Sequence, residues 1–152
     1  MRVNKDSYYL DIADSVSDRS TCLRSRYGAV IVRDDEIIST GYNGAPRGAI
    51  NCCDKGVCKR KEMNIPSGER YELCRSVHAE QNAIISGARK DMIGGTLYLS
   101  GRQPDTGEFV RDAHPCDMCK RFILNAGIKK VICRDGDSNI KTYHTEDWVE
   151  DM

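Results

Sequence analysis

The pairing of His78-Ala79-Glu80 with a distant Pro115-Cys116-Asp117-Met118-Cys119 constrains this chain more than any other feature. Catalytic zinc takes three protein ligands and leaves its fourth tetrahedral position to water, and one imidazole with two thiolates satisfies that count. Two cysteines three apart at a helix start project to the same side, where unpaired backbone N–H groups favour the thiolate that a metal requires. Pro115 fits just ahead of such a helix because its missing donor costs nothing there. Glu80 is then placed beside the metal without being needed as a ligand, which suits a carrier of protons. Read singly, His78 could be an ordinary core or surface histidine, and Cys116 with Cys119 a structural zinc or redox pair. Together those readings weaken. A redox pair has no use for His-x-Glu at a second helix start, and a structural zinc normally closes with a fourth Cys or His.

Around these motifs the periodicity is legible. Tyr9, Ile12, Ala13 and Val16 recur at helical spacing between Asp6 and Cys22, the apolar stripe of a helix lying on a core. Gly28–Val32 and Glu36–Gly41 are short β-branched runs joined by Arg33-Asp34-Asp35, which predicts a hairpin. Asn43–Gly48 breaks regular structure, and 49–73 is a polar, cysteine-bearing excursion with Pro66-Ser67-Gly68 inside it. A helix is expected over His78–Arg89, a strand over Thr96–Ser100, a helix over Cys116–Ala126 stopped by Gly127, and a strand over Lys130–Arg134. A further strand and a short helix started by Thr145 are expected within 143–152. Alternation of this kind gives an α/β fold, a central sheet with helices packed on its faces.

The 152 residues suit one compact domain over 1–152. Lys plus Arg and Asp plus Glu each number 23, so no overall field draws the chain to a nucleic acid polymer or an anionic membrane, and its partner belongs in a local site. No apolar run approaches the roughly 20 residues that span a bilayer, and the N-terminus lacks a secretory signal, which makes a cytoplasmic address the expectation. In that compartment eight cysteines point to metal binding before disulfides. Cys133, inside Val131-Ile132-Cys133, reads as a small buried hydrophobe. Cys22, Cys52, Cys58 and Cys74, with Cys53 an alternative to Cys52, could form a closed four-thiolate zinc site that pins the excursion to the first helix. Their spacings do not form two Cys-x-x-Cys knuckles, so scattered buried thiols are the competing reading.

From Asp18 to Arg134 the chain resembles the cytidine and deoxycytidylate deaminase superfamily, and more narrowly its dCMP deaminases and bacterial late-competence relatives. The stretches that carry the resemblance are Ser20-Thr21-Cys22, Gly28–Val32, Thr40-Gly41-Tyr42-Asn43-Gly44-Ala45-Pro46, Glu72-Leu73-Cys74, His78–Ile84, Pro115–Cys119 and Asn125–Val131. His-x-Glu with Pro-Cys-x-x-Cys marks the superfamily; Gly-Tyr-Asn-Gly-x-Pro points to dCMP. The resemblance implies a three-layer α-β-α fold on a mixed five-stranded sheet. It also implies zinc on His78, Cys116 and Cys119, and hydrolysis of dCMP to dUMP and ammonia with Glu80 relaying protons to ring N3 and the departing amine. Asn43 would bind the sugar and the Ala79 N–H the base carbonyl. An additional zinc, with Cys22 and Cys52 at matching positions, occurs in some relatives.

Family members are often hexamers regulated by dCTP and dTTP, triphosphates that would bring Mg2+. Gly44 and Arg47, with Gly48, could cradle phosphates, and Arg89 could serve a subunit contact or cap a helix dipole. One departure stands out: 101–114 is longer than the short link typical of relatives, and it resembles a hairpin turning at Asp105-Thr106-Gly107. It enters the active-site edge, so activity on dCTP, deoxycytidine or a modified nucleotide is the alternative, with a non-catalytic zinc protein a third reading that Glu80 argues against. A tRNA or DNA editor would want basic, aromatic-lined surfaces, which the balanced charge does not supply.

Overall fold

The computed structural model describes residues 1–152. Its first helix, α1 (Lys5–Ser17), is capped by Asn4, whose side chain accepts from the Ser7 N–H. The helix stops short of the expected Cys22, because the chain beyond Ser20 is captured elsewhere: Thr21 N–H donates to the Asn43 carbonyl at 3.2 Å. Strands β1 (Arg26–Arg33) and β2 (Glu36–Tyr42) form the expected hairpin. Asp34 and Asp35 adopt φ of 52° and 62° at its tip, the left-handed pair that a two-residue turn between twisted strands demands.

The excursion folds into α2 (Cys52–Lys55), α3 (Lys59–Glu62) and a single 3-10 turn at Tyr71–Leu73. There follow α4 (Ala79–Ile85), α5 (Arg89–Met92), β3 (Thr96–Arg102), α6 (Asp117–Asn125), β4 (Lys130–Asp135), β5 (Asn139–His144) and α7 (Glu146–Val149). The helix expected over 78–89 is therefore two. It breaks at Gly87, where any Cβ would lie 2.7 Å from Met92 Cε; the chain turns to bury Met92 rather than extend the helix.

The sheet order is β2-β1-β3-β4-β5, with β3 and β4 parallel and every other pair antiparallel. Alternation along the strands sends Ala29, Ile31, Leu97, Leu99, Val131 and Cys133 to one face, against Ala79, Ala83 and Ile123 of α4 and α6. Val30, Val32, Tyr98 and Ile132 go to the other, against Tyr9, Leu10 and Ala13 of α1. Helices thus cover both faces of a mixed five-stranded sheet, and Cys133 is a packing residue.

Two sets of contacts set the depth of α4 and the path of the chain into Pro115. Gly41 of β2 lies under α4 so closely that a Cβ would sit 2.3 Å from Ala83 N and 2.5 Å from the Ala79 carbonyl. Beyond β3, 101–114 is a hairpin: Arg102 pairs with Phe109, and Gln103 N–H donates to the Glu108 carbonyl at 2.8 Å. The Phe109 ring lies beneath the guanidinium groups of Arg102 (3.9 Å) and Arg134 (4.6 Å), while Arg102 grips Asp14 of α1 at 2.7 and 2.9 Å. Val110 and Ala113 enter the core, so the hairpin is fastened down before the chain reaches Pro115.

Candidate active site

His78 and Cys116 are the N-cap residues of α4 and α6. Gln81 accepts the His78 N–H at 2.8 Å and Cys119 N–H donates to the Cys116 sulfur at 3.4 Å, so each helix start is tied by its own side chains. His78 Nδ1 lies 3.3 Å from Cys119 Sγ and 3.6 Å from Cys116 Sγ, and the three donor atoms are all within 4.8 Å of one another. Metal bonds of about 2.3 Å to sulfur and about 2.0–2.1 Å to nitrogen at a tetrahedral angle would separate the two donors by about 3.5 Å. The observed edges match that length, so this donor set fits zinc.

Electrostatics divide the labour. Burial raises the pKa of Glu80, against the pull of its own backbone hydrogen bond and of His78. Hydrogen bonding with Cys119 and with His78 draws Cys116 down to about 4, whereas the same Cys116 contact and burial drive Cys119 up. A cation held between them would favour the thiolate form of both sulfurs. Burial opposes charge on His78, but the Cys116 hydrogen bond and the Glu80 carboxylate outweigh it and raise its pKa. Tyr71 packs edge-on against the imidazole, 4.8 Å between centroids, and the Arg60 guanidinium lies over the Tyr71 ring at 4.4 Å.

One cavity runs outward from this cluster, walled by Glu80, Ala79, Tyr27, Tyr71, Asn43 and His114. Ala79, expected to bind the base carbonyl through its N–H, lies on this wall. Asn43 lines the cavity with most of its amide in use: Oδ1 accepts from Ser20 Oγ and from Tyr27 N–H, and Nδ2 donates to the Ser25 carbonyl at 2.9 Å. One N–H of the amide has no protein partner.

The expected phosphate and effector residues fare differently. Gly44 cannot offer its amide to a phosphate, because it donates to the Val77 carbonyl at 3.1 Å and its own carbonyl accepts from Val77. Arg47 is exposed, outside the cavity and without an ion pair. Arg89 Nε donates to the Asn125 carbonyl at the end of α6 at 2.7 Å. Cys22, Cys52, Cys58 and Cys74 all line the outer wall of the same cavity, whereas Cys53 is exposed and lies outside it. Burial and the neighbouring Cys22, Cys58 and Cys74 push the Cys52 thiol up, yet these sulfurs do not draw into a second group of metal-ligand spacing. Sequence reasoning missed Tyr27, Tyr71, Arg24, Arg60 and His114 on the cavity wall, since none belongs to a spaced motif.

A five-stranded mixed sheet with a His, Cys, Cys donor set at two helix starts, and a buried glutamate beside it, defines a zinc hydrolase of the deaminase type. Residues 3–134 match the family model "Cytidine and deoxycytidylate deaminase zinc-binding region", and the chain belongs to that family. The chain is 38% identical over 136 residues to the deoxycytidylate deaminase of Mycobacterium phage D29, covering 86% of this chain and 94% of that protein. It is 36% identical over 131 residues to the deoxycytidylate deaminase of Schizosaccharomyces pombe, but spans only 37% of that longer relative. The dCMP deaminase of the cyanophage S-TIM5, solved in complex with dCMP and dUMP, superposes with a TM-score of 0.60 at 28% identity, over 88% of this chain and 83% of that one.

Proposed function

We propose that this protein deaminates dCMP to dUMP and ammonia, supplying dUMP for dTMP synthesis, with His78, Cys116 and Cys119 as zinc ligands and Glu80 as the proton carrier. The observation that carries the reading is the tetrahedral-edge spacing of the three donor atoms beside a buried carboxylate. A bound zinc supplies the Lewis acidity that makes water nucleophilic near neutral pH. Glu80, its charged form disfavoured by burial, takes one proton from the attacking water and delivers it to ring N3; it then takes the proton of the new C4 hydroxyl and hands it to the amine, which leaves C4 as ammonia while the C4 carbonyl forms. The Ala79 N–H holds the base carbonyl, the remaining Asn43 N–H meets the sugar, and Tyr27 and Tyr71 wall the base from solvent.

The same proposal includes a second, closed zinc on Cys22, Cys52, Cys58 and Cys74. It is supported by their convergence on one wall and by the turns in which Arg24 N–H and Ser76 N–H donate to the sulfurs of Cys22 and Cys74, each at 3.4 Å; metal binding would close the remaining gap. A cytoplasmic setting keeps all eight cysteines free. A dCTP or dTTP effector with its Mg2+ would meet the exposed Arg47 in a hexamer.

The test is ammonia release by the zinc-loaded protein from dCMP, dCTP, deoxycytidine and cytidine, with and without dCTP and dTTP. Highest kcat/KM on dCMP is expected; preference for deoxycytidine or dCTP would transfer the activity to the sister reaction. Two zinc ions per chain, falling to one in Cys58→Ser, are expected by elemental analysis, and one in the unmodified protein would remove the second site.

A further inference from the structure

Among buried side-chain atoms without a hydrogen-bond partner, Nη1 of Arg24 is the one that carries charge and lines the active-site cavity. A buried N–H without a protein acceptor is uncommon in a folded protein and calls for a partner such as water, an ion or a ligand. The other cations of the wall are differently employed. Arg60 is spent on the protein itself, donating to the Glu69 carbonyl at 3.0 Å and the Pro66 carbonyl at 3.4 Å beside Tyr71. Lys59 and Arg75 are exposed to solvent. The sole carboxylate on the wall, Glu80, is at the metal end.

The backbone that presents Arg24 is held on both sides. Its own N–H donates to the Cys22 sulfur at 3.4 Å, and the carbonyl of the next residue, Ser25, accepts from Asn43 Nδ2 at 2.9 Å. Asn43 thereby places one donor for the sugar and fixes the loop from which the guanidinium reaches the same cavity. A guanidinium without a protein acceptor is suited to a phosphate, whose oxygens match its fork of donors.

Resting on the deaminase reading of this site, we propose that Arg24 is the specificity residue that reads the 5′-phosphate of the substrate, distinguishing nucleotide from nucleoside. The substrate phosphate is thereby given to the loop between α1 and β1, apart from any effector phosphate at Arg47.

Zinc-loaded Arg24→Gln and Arg24→Lys, each checked for fold by circular dichroism and for zinc content, test this by the ratio of kcat/KM on dCMP to that on deoxycytidine. The ratio is expected to fall about 10- to 100-fold in Arg24→Gln through a raised KM for dCMP, the range that charge-assisted hydrogen bonds supply. Arg24→Lys should recover part of it, keeping the charge without the fork. An unchanged ratio overturns the proposal. So does an equal loss on both substrates together with lost zinc, which would make Arg24 a counter-charge to the cysteines. Thermal shift by dUMP, deoxyuridine and inorganic phosphate supplies a readout independent of turnover. The unmodified protein should be stabilised most by dUMP and Arg24→Gln should lose that advantage; inorganic phosphate acting as well as dUMP would reduce the site to a non-selective anion trap and overturn the specificity role. If the unmodified protein turns over neither substrate, the deaminase reading fails, and the dUMP shift still decides Arg24.

Discussion

Glu80 has 5% of its surface exposed and is enclosed by the three donor residues, a setting in which a carboxyl holds its proton more readily than in water. Glu80→Gln is expected to retain zinc by elemental analysis while turnover falls about 10²- to 10⁴-fold, the usual contribution of a positioned acid–base group; full activity in that variant would remove the proton carrier from the mechanism. A second pair is informative about stability. The Tyr9 hydroxyl donates to the Asp35 carboxylate, joining α1 to the hairpin tip. That bond lowers the Asp35 pKa from 3.8, with Lys5 assisting, and raises Tyr9 from 10.0 to about 12. The ionised Asp35 therefore adds stability above pH 3.8 that is lost as pH falls through its folded value. The neutral Tyr9 adds stability below pH 10 that is lost as pH rises through about 12. Tyr9→Phe should lower Tm most between those limits and converge on the parent at both ends, as a pH series of melting curves would show. His78, Cys116 and Cys119 were legible because metal chemistry dictates their spacing. Arg24, Arg60 and Tyr71 were not, because they come from segments that meet only after folding.

Elements owe their boundaries to contacts that periodicity does not encode. Local propensity predicted one helix over 78–89, but Met92 packs back over Gly87 and the helix divides. Backbone contact at Gly41 sets how deeply α4, and with it His78 and Glu80, sits on the sheet. Gly41→Ala should cost about 1–3 kcal/mol as overpacking does and lower kcat as well as Tm; parent-like kcat with lowered Tm would separate packing from site geometry. The hairpin at 101–114 was expected from its turn residues, yet its anchoring was hidden, since Phe109 meets Arg102 and Arg134 from two different strands. Because the hairpin leads directly into His114 on the cavity wall, Phe109→Ala should loosen that wall. KM for dCMP should rise more than kcat falls, and steady-state kinetics with both parameters unaltered would exclude the hairpin from substrate binding.

Across the whole molecule the donor set links α4 to α6, so metal binding and folding are coupled. Removing zinc with a chelator should abolish turnover and lower Tm, both restored by added Zn2+, and calorimetry showing identical melting with and without metal would make the centre energetically separate from the fold. The amino-acid sequence alone determined the layers, strands β1 to β4 with α1, α4 and α6, and the metal-binding set, because these follow from apolar periodicity and from ligand chemistry, both local in the chain; α2, α3, the separate α5 and the start of β5 at Asn139 were not legible in it. Tertiary structure alone decided which cations face the cavity, which amides remain free and where helices break. Those outcomes depend on hydrogen bonds and steric limits between segments such as Asn43 with Ser25, Gly44 with Val77 and Gly41 with Ala83, and no local pattern records which distant partner a group will find.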